Sequence, residues 1–161
     1  MPLFKPTYLI DGDVTDIDLD LLARDGIRGL IFDLDSTLLA PRSGQLTEET
    51  KQWLDRARAM FKVAVVSNNK KDLYIQQAQE HLAMPVLGRA AKPSTKLFFR
   101  VLEDFACKPE EVAVIGDRPL TDVWGGQRAG MKTVLVLPLK SQIEPNWVKF
   151  FRKLERCFIR S

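Results

Sequence analysis

The sequence is short of cysteine and histidine, with two cysteines and one histidine among its 161 residues. Cys107 and Cys157 are too few and too far apart in the sequence to imply a disulfide framework, so a reducing cytoplasm is the expected location. His81 lies in a predicted helix, with no cysteine or second histidine near it in the sequence. We therefore expect His81 to be structural rather than a metal ligand.

Long apolar runs, internal repeats and low-complexity segments are also missing. No stretch approaches the ~20 apolar residues that span a bilayer, and the first residues lack the basic-then-apolar pattern of a signal peptide. The hydrophobic content of 45% is ordinary for a globular protein, and the length suits one domain with a core. We predict a single domain over residues 1–161.

Short apolar runs alternate along the chain with stretches of helical character. The predicted strands are Gly29–Phe32, Val63–Val66, Pro85–Leu87, Val112–Ile115 and Thr133–Leu137. The predicted helices are Ile17–Arg24 before Gly26, Thr47 (as N-cap) to Met60, Asn68-Asn69 (as cap) through Lys71 to Leu82, Pro93 (in the first turn) to Phe105, and one ended by Gly130. This alternation predicts an α/β fold with a doubly wound parallel sheet.

The most informative motif is the run from Asp33 to Thr37, which follows the first predicted core strand directly. Residues two apart in a strand share a face, so Asp33 and Asp35 can converge where the strand ends. Adjacent carboxylates repel each other, so the pair indicates either a bound cation or a division into acid and base. An Asp-rich turn that only caps the strand is the alternative interpretation.

Further polar residues follow the other predicted strands. Ser67 and Asn68 follow the second, Lys92 follows the third, and Asp117 and Asp122 follow the fourth. In an open parallel sheet, ligands bind outside the carboxyl ends of the strands, so these side chains are candidates for one site. Each also has an ordinary interpretation: a turn residue for Ser67, a loop residue for Asn68, a surface lysine for Lys92 and a helix N-cap for Asp122.

In this order the motifs resemble those of the haloacid dehalogenase (HAD) superfamily of phosphotransferases. The matching residues are Asp33, Asp35 and Thr37 for DxDxT, then Ser67, Lys92, and Gly116, Asp117 and Asp122 for GDxxxxD. Within the capless subfamily III A, the chain is most similar to the YqeG-type phosphatases, which resemble phosphatidylglycerophosphate phosphatases. Further matches are Pro6-Thr7-Tyr8, Ile17–Leu22, Gly26-Ile27, Ser67-Asn68-Asn69 and Ala91-Lys92-Pro93, whereas Ser36 stands where Asn is common.

The resemblance implies a Mg²⁺-dependent phosphatase that works through an aspartyl phosphate. Asp33 is then the nucleophile and Asp35 the general acid and base. The implied phosphate-binding groups are the loop amides at Leu34, with Thr37, Ser67, Asn68 and Lys92. The implied metal ligands are the carboxylates of Asp33 and Asp117 and the main-chain carbonyl of Asp35. Asp122 belongs to the implied metal site without binding the ion directly.

The gaps between the motifs, Leu39–Lys62 and Asn68–Ala91, each have room for one helix but not for a cap domain. An uncovered site favours a large substrate that itself excludes water, such as a lipid surface, or a cap supplied by oligomerisation.

The C-terminal segment, residues 140–161, holds six Lys/Arg and two Glu. Between Trp147 and Arg160 the aromatic and basic residues follow helical spacing, which is typical of a basic amphipathic helix that lies on an anionic bilayer. A terminal helix packed on the domain would have the same pattern.

The leading hypothesis is a cytoplasmic enzyme that dephosphorylates phosphatidylglycerophosphate, with peripheral membrane contact through residues 146–160. A soluble phosphatase for a sugar phosphate or a nucleic-acid end is the alternative, and a non-catalytic protein of the same fold is a third. No nucleic-acid-binding motif accompanies the basic tail, so no nucleic-acid partner is expected. The oligomeric state stays open.

Overall fold

The computed structural model describes residues 4–39 and 46–139, together with residues 153, 154 and 157. Its strands, in chain order, are β1 (Tyr8–Leu9), β2 (Gly29–Phe32), β3 (Lys62–Val66), β4 (Val86–Leu87), β5 (Val112–Gly116) and β6 (Lys132–Leu135). They form a parallel sheet in the order β1-β6-β5-β2-β3-β4. The predicted α/β fold with a doubly wound parallel sheet is confirmed.

The α-helices are α1 (Leu19–Arg24), α2 (Glu48–Met60), α3 (Asp72–Leu82), α4 (Lys96–Phe105) and α5 (Trp124–Arg128). Short 3-10 turns lie at Val14–Asp16 and Pro109–Glu111, and a π-helical turn lies at Pro119–Val123. Helix α2 has the predicted bounds, because the Thr47 hydroxyl accepts a hydrogen bond from the Thr50 N–H at 3.1 Å and caps the first turn.

Two predicted helix starts are wrong. Helix α1 begins at Leu19 rather than Ile17, because the Asp18 carboxylate caps it by accepting from the Leu21 N–H at 3.1 Å. Helix α4 begins at Lys96, and Pro93 lies in a turn ahead of it, after a cis Lys92–Pro93 bond.

The Asn68-Asn69 pair does not cap α3 as predicted. Lys71 is the N-cap residue and receives no side-chain capping bond. Asn69 instead forms a turn before the helix, in which its Oδ1 accepts from the Lys71 N–H at 2.9 Å. The first-turn N–H groups of α3 are therefore not satisfied by these two amides.

Alternate residues of the central strands face opposite sides of the sheet. Leu30 and Phe32 pack in the core formed with α1, α2 and α3, whereas Ile31 packs with α4. Phe32 pairs with Val65 on β3 and Ile115 on β5, so the three strands end nearly level. Residues that follow β2, β3 and β5 are thereby brought to one edge of the sheet.

Most of the C-terminal segment, including most of the predicted amphipathic helix at 147–160, lies outside the described residues. Lys153, Leu154 and Cys157 are described, and they are helical and exposed. Within the described ranges, no helix is long and apolar enough to cross a membrane.

Trp53 connects α2 to the sheet, and we expect its replacement to be costly. Its ring lies edge-on to Phe32 at 5.8 Å, and its Nε1–H donates to the Ile17 carbonyl at 3.3 Å. Trp53→Ala should lower the free energy of unfolding by ~3–5 kcal/mol, because it leaves a cavity against β2. Met60→Ala, on the exposed side of the same helix, should change it by less than ~0.5 kcal/mol. Urea denaturation of both variants measures the difference, and equal losses would contradict this account.

Candidate active site

The residues that follow β2 and β3 are tied to neighbouring parts of the sheet by main-chain hydrogen bonds. The Asp33 N–H donates to the Ile115 carbonyl at 2.9 Å, which continues the β2–β5 pairing one residue beyond the strand. The Ser67 N–H donates to the Leu87 carbonyl at 2.8 Å, and its carbonyl accepts from the Ala90 N–H at 3.0 Å. The backbone positions of these site residues are therefore fixed by the sheet.

Lys92 lies at the centre of the candidate site. Its Nζ donates to Asp33 Oδ1 at 2.8 Å and to Asp122 Oδ1 at 2.7 Å, and its side chain is only 2% exposed. Burial alone would lower the pKa of Lys92, but the charges of Asp122 and Asp33 and their hydrogen bonds raise it above its ordinary value. The ammonium therefore remains charged and links two acids from opposite ends of the motif set.

The Asn68 side chain holds the main chain of Lys92. Its Oδ1 accepts from the Lys92 N–H at 2.6 Å, and its Nδ2 donates to the Lys92 carbonyl at 3.2 Å. Asn68 therefore shapes the Lys92 loop. These two bonds also explain why α4 does not start at Pro93, since the polar groups beside that residue are committed to Asn68 rather than to a helix.

Asp33, Asp117 and Asp122 form a carboxylate cluster, with one oxygen from each lying within 4.8 Å of the others. Asp117 and Asp122 are almost fully buried. Burial and the charge of Asp33 raise the pKa of Asp122 to about 6, although Lys92 acts in the opposite direction. The Thr37 hydroxyl donates to Asp117 Oδ1 at 3.4 Å, so the first and fourth motifs are in contact.

Asp122 is not the N-cap of a helix. It lies within the π-helical turn Pro119–Val123, and its Oδ2 accepts from the Arg118 N–H at 3.2 Å. A Cβ at position 116 would lie 2.2 Å from the Asp122 carboxylate oxygen, so only glycine at Gly116 leaves room for this side chain. The fourth motif therefore requires glycine at this position for steric reasons.

The donor set of the cluster suits a hard divalent cation. Three carboxylates converge, and the ammonium of Lys92 supplies one positive charge among them. Mg²⁺ prefers such oxygen ligands and keeps several positions for water and phosphate oxygens. Asp33 and Asp117, with the main-chain carbonyl of Asp35, could hold the ion while Asp122 orients Lys92.

The Asp35 carboxylate is not part of this carboxylate cluster. Its Oδ1 accepts from the Tyr74 hydroxyl at 2.6 Å, and its Oδ2 accepts from Asn69 Nδ2 at 3.4 Å. Asp33 and Asp35 therefore have different partners, Lys92 for the first and Asn69 and Tyr74 for the second. The strand ends at Phe32, so the two-residue periodicity that would place both carboxylates on one face no longer applies.

The Ser67 hydroxyl, a predicted phosphate-binding group, accepts from the Asn69 N–H at 3.1 Å, which leaves its own hydrogen available to donate. At Leu34 the predicted group is the main-chain amide. The Leu34 carbonyl accepts from the N–H groups of Leu38 and Leu39 at 3.0 and 3.1 Å, which closes the loop after Asp33.

Sequence reasoning missed Tyr74 altogether and assigned Asn69 only to helix capping. The available signal was positional: α3 follows β3, so its first turn begins at the edge of the sheet that carries the site. Tyr74 lies in that first turn.

The sequence is similar to those of known proteins over most of its length. A HAD-hydrolase-like family model matches residues 89–142, which carry Lys92, Asp117 and Asp122. The probable phosphatase YqeG of Bacillus subtilis is 36% identical over 131 residues, which are 81% of this chain and 75% of YqeG. The chloroplastic/mitochondrial phosphatidylglycerophosphate phosphatase 1 of Arabidopsis thaliana is 32% identical over 157 residues, which are 92% of this chain. The chain spans 45% of the length of that relative.

The fold is also similar to a solved structure. A putative HAD-hydrolase from Bacillus subtilis, YfnB bound to magnesium, aligns with a TM-score of 0.53 at 15% identity, over 74% of this chain and 90% of that one. At this identity the likeness shows the fold alone. The likeness to YqeG covers three quarters of that protein at 36% identity, so the chain belongs to the HAD-like phosphatases of the YqeG type.

Proposed function

We propose that the protein is a Mg²⁺-dependent phosphomonoester hydrolase that forms an aspartyl phosphate on Asp33. The observation that carries this proposal is the convergence of the Asp33, Asp117 and Asp122 carboxylates, two of which, Asp33 and Asp122, pair with the buried ammonium of Lys92. An exposed nucleophile beside a metal site and a lysine is what phosphoryl transfer requires, because catalysis consists mainly of positioning and charge stabilisation. The side chain of Asp33 is 14% exposed, so it remains accessible from the solvent.

In the first step, an Asp33 carboxylate oxygen attacks phosphorus while the bond from phosphorus to the ester oxygen breaks. Lys92 holds the attacking carboxylate at 2.8 Å and offsets negative charge on the phosphoryl oxygens. The leaving alkoxide takes a proton from the carboxylic acid form of Asp35. The products of this step are the alcohol, the aspartyl phosphate and the Asp35 carboxylate.

In the second step, the Asp35 carboxylate takes a proton from water, and the water oxygen attacks phosphorus. The bond between phosphorus and Asp33 breaks, which releases inorganic phosphate and restores both carboxyl groups. The Ser67 hydroxyl, with its hydrogen available to donate, directly follows β3, the strand that pairs with β2, and binds a phosphoryl oxygen in both steps. Bound Mg²⁺ supplies Lewis-acid stabilisation of the phosphoryl charge.

We propose phosphatidylglycerophosphate as the substrate. The support is the name of the Arabidopsis relative, together with the open approach to the site. Among the described residues, 46–62 hold α2, and 68–91 hold α3, β4 and short connections, so neither stretch carries a cap domain. A lipid surface can then exclude water from the site in place of a cap.

Two exposed leucines follow the strands on either side of β2, and we take them as the rim of the site. Leu73, in the first turn of the helix after β3, is 67% exposed, and Leu120, in the turn after β5, is 42% exposed. Lys70 and Lys71, which precede Leu73 with Asp72 between them, are exposed as well. Exposed apolar side chains can enter a lipid surface, and neighbouring lysines are attracted to its anionic headgroups.

Asp33→Asn should abolish turnover of every phosphomonoester, because an amide cannot form the acyl phosphate. Wild-type protein should bind beryllofluoride in the presence of Mg²⁺, and the variant should not. Asp104→Asn, an exposed change of the same kind on α4, is the matched control and should keep wild-type activity. Wild-type rates from Asp33→Asn would disprove the nucleophile assignment.

Removal of divalent metal should stop turnover, and Mg²⁺ should restore it, since the clustered carboxylates would otherwise repel the phosphate. In thermal melts Mg²⁺ should raise the Tm of the wild type, and Asp117→Asn should remove this shift. Asp35→Asn should keep the shift while losing activity ~10²–10⁴-fold, because its main-chain carbonyl is retained and only proton transfer is lost. Full activity in the presence of a chelator would contradict the metal assignment.

Replacement of both rim leucines by serine tests the proposal that the substrate is a lipid. The double variant Leu73→Ser, Leu120→Ser should lose about tenfold or more in turnover of phosphatidylglycerophosphate in anionic vesicles, because it loses apolar contact with the bilayer. Its turnover of water-soluble glycerol phosphate should stay within about twofold of the wild type. Met60→Ser, at an apolar residue as exposed as Leu120 and at the far end of α2, is the control and should affect neither substrate. Equal losses on both substrates would favour a soluble substrate instead.

A further inference from the structure

Tyr74 and the carboxylate of Asp35 form a short hydrogen bond at the mouth of the site. The Tyr74 hydroxyl donates to Asp35 Oδ1 at 2.6 Å, from the first turn of α3. Asn69 Nδ2 donates to Asp35 Oδ2 at 3.4 Å, so each carboxylate oxygen has its own donor. We infer that Tyr74 is a positioning residue, which orients Asp35 for proton transfer to the leaving group; this inference rests on the proposed function.

Asp35 requires such a restraint because Tyr74, at 2.6 Å, and Asn69, at 3.4 Å, are the donors described at its carboxylate, and Tyr74 forms the shorter bond. Asp33 and Asp122 are ion-paired to Lys92, whereas the described partners of the Asp35 carboxylate are the neutral donors Tyr74 and Asn69. Proton transfer depends on the distance and angle between the carboxyl group and the leaving oxygen. Free rotation of the Asp35 side chain would therefore slow the first step.

Tyr74 is well suited to act as a permanent donor. A tyrosine hydroxyl carries its proton at neutral pH, so it can donate to Asp35 Oδ1 at the observed 2.6 Å. Its ring also packs against the core beneath α3, which fixes the direction of the hydroxyl.

Asn69 connects this restraint to the loop after β3. Its N–H donates to the Ser67 hydroxyl at 3.1 Å, and its carbonyl accepts from the Arg89 N–H at 3.0 Å. Its side-chain oxygen accepts from the Lys71 N–H at 2.9 Å, which leaves the amide nitrogen directed at Asp35. The proposed acid and a proposed phosphate-binding hydroxyl are thus held by one asparagine.

A positioning role for Tyr74 has a specific kinetic consequence. An alkyl phosphate has a poor leaving group and needs a proton from Asp35 as the ester bond breaks, whereas p-nitrophenolate leaves readily without one. The ratio kcat/KM reports the steps up to release of the alcohol, which include only the first proton transfer. Misplacement of Asp35 should therefore lower kcat/KM for the alkyl ester selectively.

The experiment compares Tyr74→Phe with the wild-type full chain on glycerol phosphate and p-nitrophenyl phosphate, with Mg²⁺ present. We expect kcat/KM for glycerol phosphate to fall roughly 10- to 100-fold, which corresponds to a lost hydrogen bond to a charged group. For p-nitrophenyl phosphate kcat/KM should stay within about twofold, and a burst of p-nitrophenol should appear as water attack becomes slower.

Tyr8→Phe is the matched control, because Tyr8 also donates its hydroxyl to a carboxylate, that of Asp25, away from the site. It should leave both ratios unchanged. Asn69→Ala should give the same selectivity as Tyr74→Phe with a smaller loss, and Tyr74→Phe should add no further loss to an Asp35→Asn background.

Equal losses on the two esters, or wild-type ratios on both, would overturn the inference. A wild-type enzyme that hydrolyses neither ester, or an active Asp33→Asn variant, would count against the proposed function instead. If Tyr74→Phe lowers the Tm sharply, kcat/KM of Asn69→Ala on the two esters provides the same test, because Asn69 donates to the other oxygen of the Asp35 carboxylate.

Discussion

The buried ion pairs of Lys92 with Asp33 and Asp122 are the constraint on which the rest of the site depends. They join the loop after β4 to those after β2 and β5, across the intervening strand β3. An ammonium removed from water is strongly destabilising unless its partners are closely placed, so both acids must be held within hydrogen-bonding distance. Asn68 fulfils this requirement by holding the Lys92 main chain, and Gly116 does so by leaving space for Asp122.

The same pairs leave the site with an excess of negative charge. Three carboxylates converge, Lys92 pairs with two of them, and two of the three are almost fully buried. A core selected for stability alone would favour apolar residues at these positions, since buried ion pairs contribute little net stability. The arrangement is explained if a divalent cation and a phosphate complete the charge balance during the reaction, since the protein then supplies oriented charges that water does not have to reorganise.

The parts of the fold that depend on local chemistry could be predicted from the sequence. Strand β2 and helix α2 have their predicted bounds, because a buried apolar run and the Thr47 cap define them without distant contacts. Pro93 was assigned wrongly because the amide of Asn68, from another loop, holds the backbone just before it. Strand β1 was missed because two residues at the edge of a sheet carry no periodic pattern. Tyr74 was missed because its role depends on how α3 leaves the sheet.

The two aspartates of the first motif illustrate how one short segment can hold two chemical environments. The chain leaves β2 at Asp33, and Ser36 adopts a left-handed conformation with a φ of 69°. Asparagine adopts this conformation more readily than serine, which explains why Asn suits this position. The turn directs Asp35 towards the neutral donors Asn69 and Tyr74, while Asp33 stays beside Lys92 and the acids after β5. A nucleophile requires the charged surroundings and a proton carrier requires the neutral ones, so the bend between them separates the two proposed roles.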